Sequence, residues 1–114
     1  MPHTTLPDTV LTTLTDLLGS RFTTAPAALQ EAGQNEAWFA PCPPHAIARP
    51  ISTAEVSAIL RLCHAHGVPV TAQGARSSLE GQHLALHGGV ALDMTGMNRI
   101  LALHSDDLDV VLQP

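Results

Sequence analysis

The chain has 114 residues, 45% of them hydrophobic and 13% charged, with a net charge of −5 and a pI near 5.7. Five Lys plus Arg against ten Asp plus Glu, with only three aromatic residues (Phe22, Trp38, Phe39), argue against a basic or stacking surface for nucleic acid or anionic lipid. No apolar run approaches the ~20 residues that span a bilayer, and Met1-Pro2-His3-Thr4-Thr5 has neither signal-peptide nor transit-peptide character, so the sequence reads as cytoplasmic.

In chain order, residues 6–18 place Leu6, Val10, Leu11, Leu14, Leu17 and Leu18 on a helical stripe, with Asp8 near the start and Gly19 as the stop; this reads as a docking helix. Residues 22–44 are rich in small residues and prolines and read as irregular, with Trp38 and Phe39 pinning them to the domain. Ala46, Ile47 and Ala48 form a short strand that Pro50 ends. Ser52 or Thr53 then caps a helix in a capping-box pattern with Glu55, putting Val56, Ile59, Leu60 and Cys63 on one face and ending at Gly67. Residues 68–71 follow as a strand, and strand–helix–strand over 46–71 predicts a parallel βαβ unit. Gly88-Gly89 reads as a turn into a buried strand over 90–94, and residues 109–114 supply a further strand.

Between these strands lies the sequence's most informative segment, Gln73-Gly74-Ala75-Arg76-Ser77-Ser78-Leu79-Glu80-Gly81-Gln82. Gly74, Ala75 and Gly81 allow close backbone approach to an anion, Ser77 and Ser78 add hydroxyls, and successive N–H groups can converge as an anion-binding nest. A solvated surface loop is the plain alternative, because the spacing matches neither G-x-G-x-x-G nor the P-loop pattern. Cys42 and Cys63 belong to no C-x-x-C pair and read as reduced thiols. His64 and His66 stand two apart at a helix end, where they share no face, so a metal site with His83 and His87 is not supported; His83 reads as a loop histidine. Asp93, Asp106, Asp107 and Asp109 have no paired-carboxylate arrangement and read as turn and strand-edge residues.

Taken together, the segments 74–81, 88–93, 97–100 and 110–114 carry elements similar to G-x-(G/R)-(S/T)-S-L-E-G, G-G-V-x-(L/I)-(D/N), M-(N/D)-x-I and V-V-x-P. With residues 44–56 upstream, this succession resembles the FAD-binding domain of the vanillyl-alcohol-oxidase/p-cresol-methylhydroxylase (PCMH-type) superfamily, in the branch of D-lactate dehydrogenases and glycolate oxidase D subunits. The resemblance covers roughly residues 36–114 and implies an α/β (α+β) fold, a small mainly parallel sheet with flanking helices. It also implies that residues 1–35 are a docking helix and lead-in, and that 36–114 form the N-terminal, incomplete part of the flavin domain, which would need about another hundred residues.

The resemblance further implies that FAD is bound, with Gln73, Gly74, Ala75, Arg76, Ser77 and Ser78 nearest its pyrophosphate, Gly81 and Gln82 closing the loop, and Pro50 near the adenine. Ser77 stands where covalent flavoproteins of the superfamily carry histidine, which implies non-covalent FAD. The parent would be an oxidoreductase acting on a D-2-hydroxy acid of D-lactate or glycolate type. No catalytic residue and no metal ligand carry over to this chain, which by itself is expected to be inactive. The strand edge after residues 110–112 is expected to leave unpaired groups for self-association or a partner chain. A second reading is a non-catalytic nucleotide-binding or regulatory module that completes its sheet with such a partner.

Overall fold

The computed structural model describes residues 5–114. It runs α1 (Asp8–Leu18), a 3-10 turn, β1 (Phe22–Thr23), α2 (Pro26–Ala32), β2 (Ala46–Ala48), α3 (Thr53–Ala65), β3 (Val70–Gln73), β4 (Val90–Asp93), a second 3-10 turn, β5 (Ile100–His104) and β6 (Asp109–Leu112). β1 to β4 form one sheet in the order β1-β2-β4-β3, while β5 and β6 make a separate two-stranded hairpin. β1 is antiparallel to β2, and β4 is parallel to both β2 and β3. The expected strand–helix–strand unit is therefore present with a difference: β2 and β3 share a direction but do not pair, because β4 lies between them.

β2 and β4 are buried at every residue, and alternation explains why. Ala46, Ala48, Val90 and Leu92 face a core built with Val10, Leu14 and Leu18 of α1 and Ile59 and Cys63 of α3. Ile47 and Ala91 face the other way, onto Ala32, Ala28 and Leu29 of α2. A strand covered on both faces reads as a continuous apolar run rather than an alternating one, as Val90-Ala91-Leu92 does. Each fully buried Val, Leu or Ile side chain here contributes about 1.5–3 kcal/mol, and each alanine methyl less than about 1 kcal/mol.

α1 begins at Asp8, two residues later than expected, and ends at Leu18 as expected; Leu6, Val10, Leu14 and Leu18 are buried as the stripe requires, and Leu17 is exposed. Four details correct the sequence reading. Residues 22–44 are not all irregular, since they contain β1 and α2. Helix α2 starts with Pro26 at its first turn, where a missing N–H costs nothing, and it is held by packing on Ile47 and Ala91. Trp38 pins nothing: it is 89% exposed and stacks on Phe39 at 5.3 Å between ring centres. Leu60 turns away from the α3 core face and is exposed, and β3 begins two residues later than expected.

One ion pair ties the outer elements together. The Arg21 guanidinium donates to both Glu55 oxygens, Nη1 to Oε1 at 2.6 Å and Nη2 to Oε2 at 2.7 Å, and Nη1 also reaches the Arg49 carbonyl. Ser52 caps α3 as expected, accepting the Glu55 N–H at 3.2 Å. The Glu55 carboxylate returns not to the cap residue but one residue earlier, accepting the Ile51 N–H at 2.8 Å. Arg21, then this N–H, hold the Glu55 carboxyl down at about 2. A depressed carboxyl stabilises the fold fully above its ordinary range near 4.5, and that contribution is lost as pH falls toward 2. Thermal melts from pH 7 to pH 2 are expected to show a fall in Tm across that window. Glu55→Gln should start lower at pH 7 and fall less; parallel curves would refute the assignment.

The β5–β6 hairpin is antiparallel, with an irregularity between Ile100 and Ala102. Ile100, Leu103 and Leu108 are 70%, 74% and 92% exposed, and Leu101, Val110, Val111 and Leu112 are exposed as well. β6 gains a partner in β5, which the sequence reading did not foresee, and the hairpin keeps apolar side chains in solvent.

Candidate functional site

The loop of residues 74–82 leaves the carboxyl end of β3, whose last residue, Gln73, is in register with Asp93 at the end of β4. Ligands of open α/β sheets gather at such strand ends. Gly74 faces open space: a Cβ placed there would meet no heavy atom within 4 Å. Arg76 takes a left-handed backbone conformation (φ 59°), which a side-chain-bearing residue adopts only at a cost. Six consecutive N–H groups, from Gly74 to Leu79, donate to no other group among the described residues.

The loop separates two recesses. On one side a cleft of about 470 Å³ is lined by Gly74, Ala75, Met94, Thr95, Arg99 and the end of β6. On the other a smaller recess of about 270 Å³ is lined by Gly74, Ala75, Arg76, Ser77, Ser78, Gln82 and His83. Gly74 and Ala75 form the shared wall.

Of the residues expected at the site, Gly74, Ala75, Arg76, Ser77, Ser78 and Gln82 are brought together around this loop. The Ser78 hydroxyl donates to the Gln82 side-chain oxygen, and Gly81 sits over the Phe39 ring, 3.4 Å from where its Cβ would lie. The Arg76 guanidinium lies 3.6 Å from Glu31 of α2, not beside Glu80. Gln73 is 3% exposed, and its amide donates to the carbonyls of Ala32 and His83 at 3.0 and 2.8 Å. Pro50 is fully buried after β2.

His83 departs from its reading as a loop histidine. It is 4% exposed, its Nε2 lies 2.9 Å from the Gln34 carbonyl, and its buried Nδ1 has no hydrogen-bond partner among the described residues. Because a carbonyl only accepts, Nε2 carries the proton in the neutral ring. No local pattern signals this, nor the role of His45, whose Nδ1 accepts the Gly89 N–H at 3.0 Å.

Asp93 likewise is no strand-edge residue, since it ends the central strand and is 8% exposed. Burial pushes its carboxyl up, but the Thr95 hydroxyl and N–H and the Arg49 guanidinium outweigh it and hold the group below the usual carboxylate range. Those partners stand at 2.7, 2.9 and 3.0–3.2 Å. A carboxylate so saturated is a structural anion, not a proton acceptor. Both cysteines are free, and burial pushes the Cys63 thiol up. Among the described residues no group of three His, Cys, Asp or Glu is placed to hold a metal, and no helix is long and apolar enough to cross a membrane.

The donor set suits a diphosphate. Uncommitted backbone N–H groups and the Ser77 hydroxyl can bind phosphate oxygens without a metal or a lysine, and the Ser78 hydroxyl and Arg76 guanidinium can join them by exchanging Gln82 and Glu31 for phosphate; the open space over Gly74 lets an anion reach the backbone.

A family model described as FAD binding domain matches residues 44–114. Mitochondrial D-lactate dehydrogenase [cytochrome] of Arabidopsis thaliana is 44% identical over 71 residues, which are 62% of this chain and 12% of that protein. D-lactate dehydrogenase of Anaerostipes hadrus is 37% identical over 70 residues (61% and 15%), and glycolate oxidase subunit GlcD of Bacillus subtilis is 35% identical over 71 (62% and 15%). The chain thus spans less than a fifth of the length of each of these relatives. Among solved structures, an alkyldihydroxyacetonephosphate synthase superposes with a TM-score of 0.82 at 20% identity, over 99% of this chain and 25% of that one. A p-cresol methylhydroxylase with substrate bound gives 0.71 at 16%, over 91% and 22%; at such identities these two speak for the fold. With the family model matching more than half of its length, the chain belongs to the FAD binding domain family, beside the D-lactate dehydrogenases and glycolate oxidase, and FAD is its cofactor.

Proposed function

We propose that the loop of residues 74–82 cradles the FAD pyrophosphate non-covalently, within an oxidoreductase that oxidises a D-2-hydroxy acid of D-lactate or glycolate type. The observation that carries this reading is the run of six uncommitted N–H groups from Gly74 to Leu79 at the end of β3. Ser77 adds a hydroxyl donor, and Ser78 and Arg76 trade their partners Gln82 and Glu31 for phosphate oxygens. Gly81 and Gln82 close the loop, Gln73 anchors its start, and Pro50 shapes the turn on the adenine side. Bound FAD supplies acceptance of a hydride from the carbon bearing the substrate hydroxyl. The chain's own residues bind and orient; none of the described ones is placed as the base, and Asp93 is spoken for by Arg49 and Thr95.

Residues 1–35 act as docking helix and lead-in, and 36–114 as the cofactor-binding part. A second reading, a nucleotide-binding module that completes itself with a partner chain or a second copy, draws on the solvent-exposed apolar faces of the β5–β6 hairpin.

Titration of the chain with FAD, followed by flavin fluorescence and by the visible spectrum retained after desalting, tests the first reading. Saturable binding that releases flavin on denaturation is the expected result. Flavin that stays attached after denaturation would refute non-covalent binding, and absence of binding both alone and with the remaining length of a D-lactate dehydrogenase supplied in trans would refute the cradle.

A further inference from the structure

We infer that Gln73 and His83 are positioning residues that clasp both ends of the phosphate-binding loop onto residues 32–34, setting its N–H groups before any ligand arrives. This rests on the reading of the loop as a cofactor cradle. Gln73 stands immediately before the loop and His83 immediately after it. Both hydrogens of the Gln73 amide are committed, one to the His83 carbonyl at 2.8 Å and one to the Ala32 carbonyl at 3.0 Å, and both bonds are buried. The first closes the loop's base across ten residues, and the second fastens that base to the C-terminal end of α2. The His83 ring adds a third tie, from Nε2 to the Gln34 carbonyl at 2.9 Å.

The floor continues beneath the loop's far end. Asn35 donates to the Phe39 carbonyl at 2.9 Å, and the Phe39 ring lies under Gly81. Residues 32–39 precede the segment matched by the family model, which begins at residue 44. The loop's shape is therefore set in part by a stretch outside that match. A buried amide donating to two carbonyls is specific in a way that packing alone is not, because an acceptor in its place leaves two carbonyls facing a third oxygen with no proton between them.

That asymmetry supplies the test. Gln73→Glu keeps size and shape but removes both donors, whereas Gln73→Met keeps length without charge. The readout is the backbone order of residues 74–79 by ¹⁵N relaxation, with α1 and α3 as internal references. The unaltered chain is expected to show an ordered loop, with order parameters near 0.85, and Gln73→Glu at pH 8 to drop them below about 0.6. Lowering the pH to 5 should restore part of that order in Gln73→Glu alone, since a carboxyl facing two carbonyls stays protonated above its usual range and then donates once. The titratable and charged groups around it are His83, Asp93 opposite on β4, and Glu31 paired with Arg76; the unaltered chain carries all of them and serves as the control. Gln73→Met should loosen the loop at both pH values.

An unaltered chain with a loop already disordered, or a loop as ordered in both variants as in the unaltered chain, would overturn the clasp. If Gln73→Glu does not fold, Gln73→Met decides by the same criterion. Loosening as expected, with no FAD bound by any form even when the remaining length of a D-lactate dehydrogenase is supplied in trans, would uphold the clasp and refute the cradle instead.

Discussion

Gly89→Ala is expected to destabilise the fold by about 3 kcal/mol or more, the sum of a left-handed backbone and a steric clash. Gly89 has φ 78°, and a Cβ there would stand 2.1 Å from the carbonyl oxygen of Pro69. That oxygen cannot retreat, since it accepts the Val90 N–H at 2.9 Å and so begins the β3–β4 ladder. The Gly89 carbonyl accepts from His45 and Ala46, which begins the β2–β4 ladder. One substitution therefore strikes both parallel pairings of the central strand. In a domain of this size the loss corresponds to a fall in Tm of roughly 10–20 °C. Gly74→Ala is the control: its Cβ enters open space at an ordinary φ, and its Tm should lie within a few degrees of the parent's. Equal melting of the two variants would contradict the geometry.

Ser77→Asp is expected to weaken FAD binding by more than tenfold, a penalty above about 1.4 kcal/mol, with little change in Tm because Ser77 is exposed. The added carboxylate would sit among the N–H groups we propose as the diphosphate's donors and present like charge to it. Raising the salt concentration should recover part of the loss, since an exposed charge is screened. Isothermal titration at two ionic strengths measures both effects. Undiminished affinity would place the pyrophosphate elsewhere and leave the loop as ordinary surface.

Local chemistry made some elements legible and concealed others. The α1 stripe, the Ser52 cap, the buried run at Val90-Ala91-Leu92 and the glycine-serine loop all announce themselves within a few residues, because periodicity, caps and small residues are local signals. Helix α2 does not, since seven residues opened by Pro26 acquire their shape by packing on Ile47 and Ala91, which lie elsewhere in the chain. The insertion of β4 between β2 and β3 is equally invisible, because parallel pairing follows tertiary topology rather than neighbouring sequence. At the site, the residue types were readable but their commitments were not. Gln73 and His83 look like polar loop flanks in one dimension and are buried in three. Asp93 looks like a turn acid and is enclosed by Arg49 and Thr95.

The sheet order also sets a timetable. The strand between β2 and β3 is the last of the four to leave the ribosome, so β2 and β3 have no parallel partner until residues 90–93 have been made. A chain emerging at about 5–20 residues per second waits a few seconds between β2 and β4 with β2 flanked only by the two residues of β1. Such an order favours late, all-at-once assembly over stepwise growth, because the long-range contacts that reward loop closure arrive together. During that interval the nascent chain is most open to capture by a chaperone or by another unfinished copy.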